Sequence, residues 1–322
     1  MPVELTYDRS LGTTRITGTV RNASEADMGY ALAIRGLLGS KAQQNAIHFV
    51  DGQAVGAAEG QASWLASPEA VGGQPALLRS PVRDPEQMSA HIKKVAASLR
   101  ADAVGIGRMP PYAYYSHKVL DFTNLRTKPA ELCVEPVTER YPYVIVLMVD
   151  QPLASMLRFA GYDALSTAQS RHSNYVSASM SVMLAQYIRS LGYHARAHHA
   201  ANYAAVMVPC VIAAGLGEFS RMGGSAIHPR LGFRPKVAAV TTDLPLMPDP
   251  PLDFGLQDFC RKCRKCAEHC PSGAISLDRD PVEFNGYLRW NWDIKKCTRF
   301  RTTNRKGTSC ARCMNVCPWN HK

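Results

Sequence analysis

Eight of the ten cysteines in this 322-residue chain fall within its last 63 residues, and their spacing restricts what that end can be. The first run, Cys260-Arg-Lys-Cys263-Arg-Lys-Cys266-Ala-Glu-His-Cys270-Pro271, has the C-x2-C-x2-C-x3-C-P form by which bacterial ferredoxins ligate iron–sulfur clusters. A second set consists of Cys297 and then Cys310-Ala-Arg-Cys313-Met-Asn-Val-Cys317-Pro318, with 12 residues between its first and second members. A cubane needs four thiolates at tetrahedral corners. A tight loop supplies three of them, the fourth must arrive from elsewhere, and the proline after the last cysteine stops the helix and turns the chain away. In two-cluster ferredoxins the fourth cysteine of each run serves the other cluster. That pattern pairs Cys260, Cys263 and Cys266 with Cys317, and Cys270 with Cys297, Cys310 and Cys313. A disulfide framework does not suit a chain of this size without an export signal, and zinc rarely uses two interleaved runs of this spacing. Cys133 and Cys210 stand alone and are expected to be free buried thiols without a function.

The rest of the composition describes an ordinary globular protein. With 46% hydrophobic residues the chain can bury a core without help from disulfides, which excludes disorder, collagen and coiled coil. The N-terminus, Met-Pro-Val-Glu-Leu-Thr-Tyr-Asp-Arg-Ser, carries neither a basic and apolar export signal nor a twin-arginine leader, so a cytoplasmic location is expected. The longest uncharged run, Ala200 to Gly217, is interrupted by Asn202, Pro209 and Gly215 and reads as a buried helix rather than a membrane span. The net charge of +11 is spread along the chain. It suits an anionic partner without choosing among an acidic electron carrier, an anionic substrate and an RNA backbone.

Three regions follow from the patterning. Residues 1–85 are rich in Gly, Ala, Gln and Ser and are expected to be loops and short elements draped on a core. From residue 86 to about 250 the pattern sharpens. Asp84-Pro85-Glu86 starts a helix with Ile92, Val95, Ala96 and Leu99 on one face, Ala103 to Gly107 and Tyr143 to Val149 read as buried strands, and Lys236 to Thr242 is strand-like again. Ser173 or Asn174 is expected to cap a helix whose stripe is Val176, Met180, Met183, Leu184, Tyr187, Ile188 and Leu191, with Tyr175 in its first turn. Another helix is expected from about Tyr203 to Ala214. Pro245, Pro248, Pro250 and Pro251 mark a linker into a ferredoxin-like module over residues 251–322. Strands alternating with helices predict an α/β (α+β) core before that module.

Two clusters imply a redox-active group in the preceding domain. Dinucleotide and P-loop motifs are missing, since Gly105-Ile-Gly107 lacks a third glycine, and so is the Cys-x-x-Cys-His of a covalent haem. The segments Gly215 to Ser225, Thr242 to Leu246 and Pro251 to Gly255, the cysteine runs, Trp290-Asn-Trp292-Asp293 and Pro318-Trp319-Asn320 together resemble the cobalamin-dependent reductive dehalogenases over roughly residues 86 to 322. The resemblance implies a nitroreductase-like fold holding a base-off corrinoid with no protein ligand on cobalt, followed by two [4Fe–4S] clusters. It also implies a small organohalide substrate and a reduced ferredoxin, flavodoxin or similar electron donor. Residue by residue it makes Tyr175 the proton donor, Lys236 or Arg234 its cationic assistant, and Asn202 a polar contributor to the site. The loop containing Gly215, Gly217, Glu218, Ser220, Arg221, Gly223, Gly224 and Ser225 becomes the expected corrinoid-binding segment.

These residue types suit that chemistry. A phenol keeps its proton at neutral pH and can give it to a developing carbanion, and a neighbouring cation stabilises the phenolate left behind. Read without the resemblance, Tyr175 is a helix-start tyrosine with its ring packed and its hydroxyl in water. Lys236 is then a solvated strand end, and His198 and His199 line a cavity or the surface. The rival within the resemblance is epoxyqueuosine reductase, a tRNA-modifying relative, which predicts a carboxylate at position 175. A plain electron carrier is the non-enzymatic alternative, and it leaves the first 250 residues without a role.

Overall fold

Four strands form the central sheet: β1 (Ala103–Arg108), β2 (Tyr143–Val149), β3 (Ala195–His198) and β4 (Lys236–Thr242). They lie in the order β1-β2-β4-β3, with β2 and β4 in the middle. The computed structural model describes residues 12–51, 63–119, 133–158, 164–304 and 310–321. The boundaries of β2 and β4 coincide with the apolar runs that predict them. All three pairings are antiparallel, so the fold is α+β in the strict sense. Alternation of strands with helices suggests a parallel sheet, but here β2 and β3, which run the same way and are joined through α4, are separated by β4, which runs against both. The β2–β4 register pairs Val149 with Lys236, which sets the residues after β2 beside those before β4.

Both faces of the sheet are covered. Ile106, Ile145, Leu147 and Val240 meet helices α3 (Pro85–Ser98) and α4 (Ala164–Ser190) through Ile92, Ala96, Leu184 and Ile188. On the other face Val144, Val146, Met148 and Ala239 meet α5 (Met207–Ala213) through Cys210 and Val211. Alternate residues of β2 thus enter different cores, as the strand period of two requires. Helix α3 begins where expected: Pro85 takes the first turn and the Asp84 carboxylate accepts from the amides of Glu86 and Gln87.

The structure corrects four expectations. Helix α4 starts at Ala164, so Ser173 and Asn174 are interior residues and Tyr175 stands well past the first turn. Ser173 Oγ accepts from Gln169 one turn earlier, and the Asn174 backbone carbonyl accepts from Ser177 Oγ. Helix α5 begins at Met207 rather than Tyr203, because Ala205 bridges to Tyr114 in extended form first. Cys133 is exposed, whereas Cys210 is buried. The N-terminal region is also more regular than its composition suggests, with helices α1 (Gly29–Ile34) and α2 (Ser40–Asp51). These pack on α8 (Ile294–Thr303) of the cysteine-rich module, so closely that a Cβ on Gly29 would stand 2.0 Å from Thr298 Oγ1. Arg299 Nε donates to Leu38 O at 3.1 Å across the same contact. No described helix is long and apolar enough to cross a membrane.

Candidate functional site

Cys260 and Cys263 ride on α6 (Leu256–Cys263) and Cys266 on the one-turn α7 (Lys265–Glu268). Arg264 joins the two helices in the left-handed region at φ 50° and redirects the chain between the second and third cysteines. Cys317 returns from the end of the chain, and Cys260, Cys263, Cys266 and Cys317 line one cavity together with Ser220, Arg221, Phe259 and Trp319. Among the described residues no three His, Cys, Asp or Glu converge on a single-ion position. The four thiols surround a space rather than a point, which fits a cubane better than a lone zinc ion.

The remaining cysteines form a second neighbourhood. Cys297 on α8 is influenced by Cys310 and Cys270, and Cys313 by Cys310, Cys297, Cys266 and Cys270, so Cys266 and Cys313 bring the two groups next to each other. Across the two groups burial, and then neighbouring charges, raises Cys260, Cys266, Cys297, Cys313 and Cys317. Cys266 is pushed up to about 12 by burial and then by Cys260 and Cys317. Cys260 also reaches about 12, through burial opposed by the Arg221 contact. Cys270 moves the other way. Burial opposes it, but hydrogen bonds from Ser272, Ile275 and Ala274 win, and the Ala274 amide lies 3.3 Å from the sulfur. Thiols held protonated by a dry environment become thiolates when a metal centre replaces their protons.

The loop expected to bind a corrinoid makes extensive contacts within the chain. Glu218 is buried at the start of α6, where its Oε1 accepts from the amides of Phe254 and Leu256 at 2.7 and 3.2 Å, while Oε2 accepts from Thr13 Oγ1 and Gln257 Nε2. Ser220 Oγ bonds Ser225 O and Ser225 Oγ, both at 2.9 Å, closing the loop on itself. Arg221 Nε donates to Cys260 O at 2.9 Å and Nη1 to Ser276 O at 3.1 Å. The glycines make room for the chain's own atoms: a Cβ on Gly217 would meet Ile227 O at 2.5 Å, one on Gly215 Pro250 O at 2.4 Å, and ones on Gly223 and Gly224 the Trp292 side chain at 2.2 and 2.5 Å. This segment therefore also supports the cysteine-rich module, a role that only the long-range contacts reveal.

The expected catalytic residues are distributed unevenly. Tyr175 is exposed on α4, and its hydroxyl makes no hydrogen bond to the described residues. Asn202 is committed inside the protein, donating to Ala66 O at 2.8 Å and accepting from Arg196 at 2.9 Å. His198 and His199 are buried rather than on the surface. His198 Nε2 pairs with Thr241 Oγ1 and His199 Nε2 with Leu65 O, and burial holds both below the usual histidine range, His199 at about 4. Arg234 is buried and ion-paired with Asp150: Nη2 donates to Oδ2 at 3.0 Å, while Nε stands 2.8 Å from Oδ1 without making a hydrogen bond. Lys236 has no carboxylate among the described ion pairs and is lowered to about 8, by burial first and then by Arg301 and Arg171.

Sequence reasoning missed Asp150, Gln151, Arg171 and Arg301. Asp150 and Gln151 follow directly on the buried strand β2, and a polar pair at the end of such a strand is the signal that could have found them. Gln151 Nε2 donates to Arg234 O, while Gln151 Oε1 and Arg234 Nη1 are buried without a hydrogen-bond partner. Arg301 on α8 stands within electrostatic reach of Lys236 and also of Cys297, Cys310 and Cys313. The polar end of the sheet therefore adjoins the second group of thiols.

Residues 259–320 match the family model of the 4Fe-4S double cluster binding domain. A tetrachloroethene reductive dehalogenase from Dehalobacter restrictus is 33% identical over 273 residues, covering 73% of this chain and 48% of that protein. The solved catabolic reductive dehalogenase NpRdhA, in complex with 3-bromo-4-hydroxybenzoic acid, superposes with a TM-score of 0.87 at 33% identity, covering 100% of this chain and 44% of that one. A reductive dehalogenase structure described in terms of B12-dependent dehalogenation gives 0.86 at 32% identity, over 99% of this chain and 44% of the other. The chain spans about half the length of the curated relatives it matches.

Proposed function

We propose, from the membership of this chain in the reductive dehalogenase family, that it replaces halogen by hydrogen in a small organohalide. The observation that carries the reading is the junction between the sheet and the double-cluster module. At the end of β2 and the start of β4, Gln151 Oε1 and Arg234 Nη1 are buried without hydrogen-bond partners among the described residues, Lys236 has no carboxylate among the described ion pairs, and Arg301 links this end to Cys297, Cys310 and Cys313. Uncommitted buried polar atoms of this kind suit a large polar cofactor, and Gln151, Arg234 and Lys236 are the residues that would hold a base-off corrinoid. Cys260, Cys263, Cys266 and Cys317 would hold one [4Fe–4S] cluster, and Cys270, Cys297, Cys310 and Cys313 the other. When bound, these groups would supply single electrons from a reduced ferredoxin, flavodoxin or similar donor and a low-valent cobalt able to cleave a carbon–halogen bond.

The chain's own part is the proton. Replacement of halogen by hydrogen consumes two electrons and one proton and releases halide. Tyr175 Oη, without a hydrogen bond to the described residues, would give that proton to the carbon. Lys236 Nζ, charged at neutral pH, would stabilise the phenolate and favour its reprotonation. Arg234 suits this role less well, because Asp150 already neutralises it. Asn202 is positioned to keep the segment after β3 in place rather than to touch substrate.

Protein loaded with corrinoid and both clusters should release halide from haloaromatic or haloalkene substrates under a strong low-potential reductant. Tyr175→Phe should lose at least ~100-fold in turnover, the scale of one general acid, with cobalt and iron contents unchanged. Undiminished turnover in that variant would strip Tyr175 of its role. Failure to take up any corrinoid would leave the electron-carrier reading. Activity on epoxyqueuosine-containing tRNA without halide release would favour the rival enzyme, against which the phenol at position 175 already speaks.

A further inference from the structure

We propose that Arg221 sets the reduction potential of the cluster held by Cys260, Cys263, Cys266 and Cys317, as a fixed positive charge buried beside it. The proposal rests on the reading of those four thiols as the ligands of one cluster. Arg221 is 1% exposed and lines the same cavity as all four. Its Nε donates to Cys260 O at 2.9 Å, and its Nη1 to Ser276 O at 3.1 Å and to Asp278 O. Nη2 points toward Arg261 O at 3.5 Å, and the Trp290 ring lies 5.1 Å from the guanidinium carbon.

Every one of these acceptors is a neutral carbonyl, and no described ion pair joins Arg221 to a carboxylate. A cation taken out of water without a counter-charge is strongly unfavourable, so its partner must lie in the cavity it lines. A cluster ligated by four thiolates is anionic in both redox states and gains one further negative charge on reduction. Its attraction to Arg221 is therefore greater in the reduced state, in a site too dry to screen it, and the couple moves to higher potential. The same contacts also pin the end of α6 to the Ser276–Asp278 segment, so a merely structural clamp is the alternative to be separated.

The test is a redox titration followed by electron paramagnetic resonance, with iron counted, on the full chain carrying both clusters. In Arg221→Gln the iron content should match wild type. One midpoint should fall by at least a tenfold change in its reduction equilibrium, about 59 mV for a one-electron couple, with the other unmoved. Arg221→Lys, which keeps the charge and gives up carbonyl contacts, should retain most of the wild-type potential. Full iron with both midpoints unchanged in Arg221→Gln overturns the proposal, as does an equal fall in the Gln and Lys variants. Should Arg221→Gln lose a cluster, Arg221→Lys decides: an intact cluster near the wild-type potential supports the role of charge, and the same loss shows a clamp only. A wild-type chain unable to hold two clusters would instead remove the cluster reading itself.

Discussion

The central sheet and the cysteine-rich module differ in what fills their interiors. Around β2 and β4 the interior is aliphatic on both faces, and Val144, Ile145, Val146 and Leu147 are completely buried. In the module the interior is built from Met222, Ile227, Leu256, Trp290 and Trp319 with Cys260 and Cys317 among them, so thiols take places that Leu or Val would occupy elsewhere. Its helices are short, and α6 carries three charged side chains in eight residues. A core of this kind is incomplete until metal centres convert its thiols into ligands, whereas the sheet is complete by hydrophobic burial alone. The N-terminal helices α1 and α2 lean on the module through α8 and should share its dependence.

Removal of iron is the severest way to strain this contrast. Chelation should strip hydrogen-exchange protection from the amides of α6 and α8 while those of β2 and β4 keep theirs. A module that stays protected without iron would break the comparison. The converse lesion is Leu147→Ala in the sheet, which should cost about 2–5 kcal/mol in urea unfolding while the iron content of the folded fraction stays at its wild-type value.

A pH experiment sharpens the position of the N-terminal region. Glu25 is buried against the Val119 amide, and its carboxyl is raised to about 7, by burial first, against that hydrogen bond and Lys118. The folded chain then binds more protons than the unfolded chain between about 4.5 and about 7. Stability is fullest below that window and is lost as pH rises through it, by on the order of 3 kcal/mol. Glu25→Gln should flatten that slope in thermal melts of the metal-loaded chain, and an unchanged slope would assign the dependence to other groups. The mildest expected effect lies at the start of α3. Asp84→Ala removes a helix cap and should cost about 1 kcal/mol, with both the iron content and the module's hydrogen-exchange protection untouched.

Local signals in the sequence carried much of the fold. Strands β2 and β4 are legible because runs such as Tyr-Val-Ile-Val-Leu-Met-Val have only one economical way to leave water, and α3 because its cap, its proline and its apolar stripe agree. The antiparallel sheet was not legible, since strand direction depends on where each connection returns the chain. The start of α4 was misread because Ser173 and Asn174 are good caps in isolation, whereas the helix already begins at Ala164 and Gln169 from the preceding turn donates to Ser173. The Gly215–Ser225 loop shows the same limit at the site. Its glycines and Arg221 read as a cofactor loop from the sequence, and that Trp290, Trp292 and Cys260 pack against them shows only in the folded chain.

The chain by itself determined that its last sixty or so residues form a double-cluster domain, because the order and spacing of cluster ligands are properties of a short stretch of backbone. Tertiary structure alone decided that Asp150 occupies Arg234, that Lys236 has no carboxylate among the described ion pairs, and that Arg221 faces thiols. Those outcomes depend on pairs of residues tens to more than eighty positions apart, brought within a few ångström only when the whole chain has buried its apolar surface.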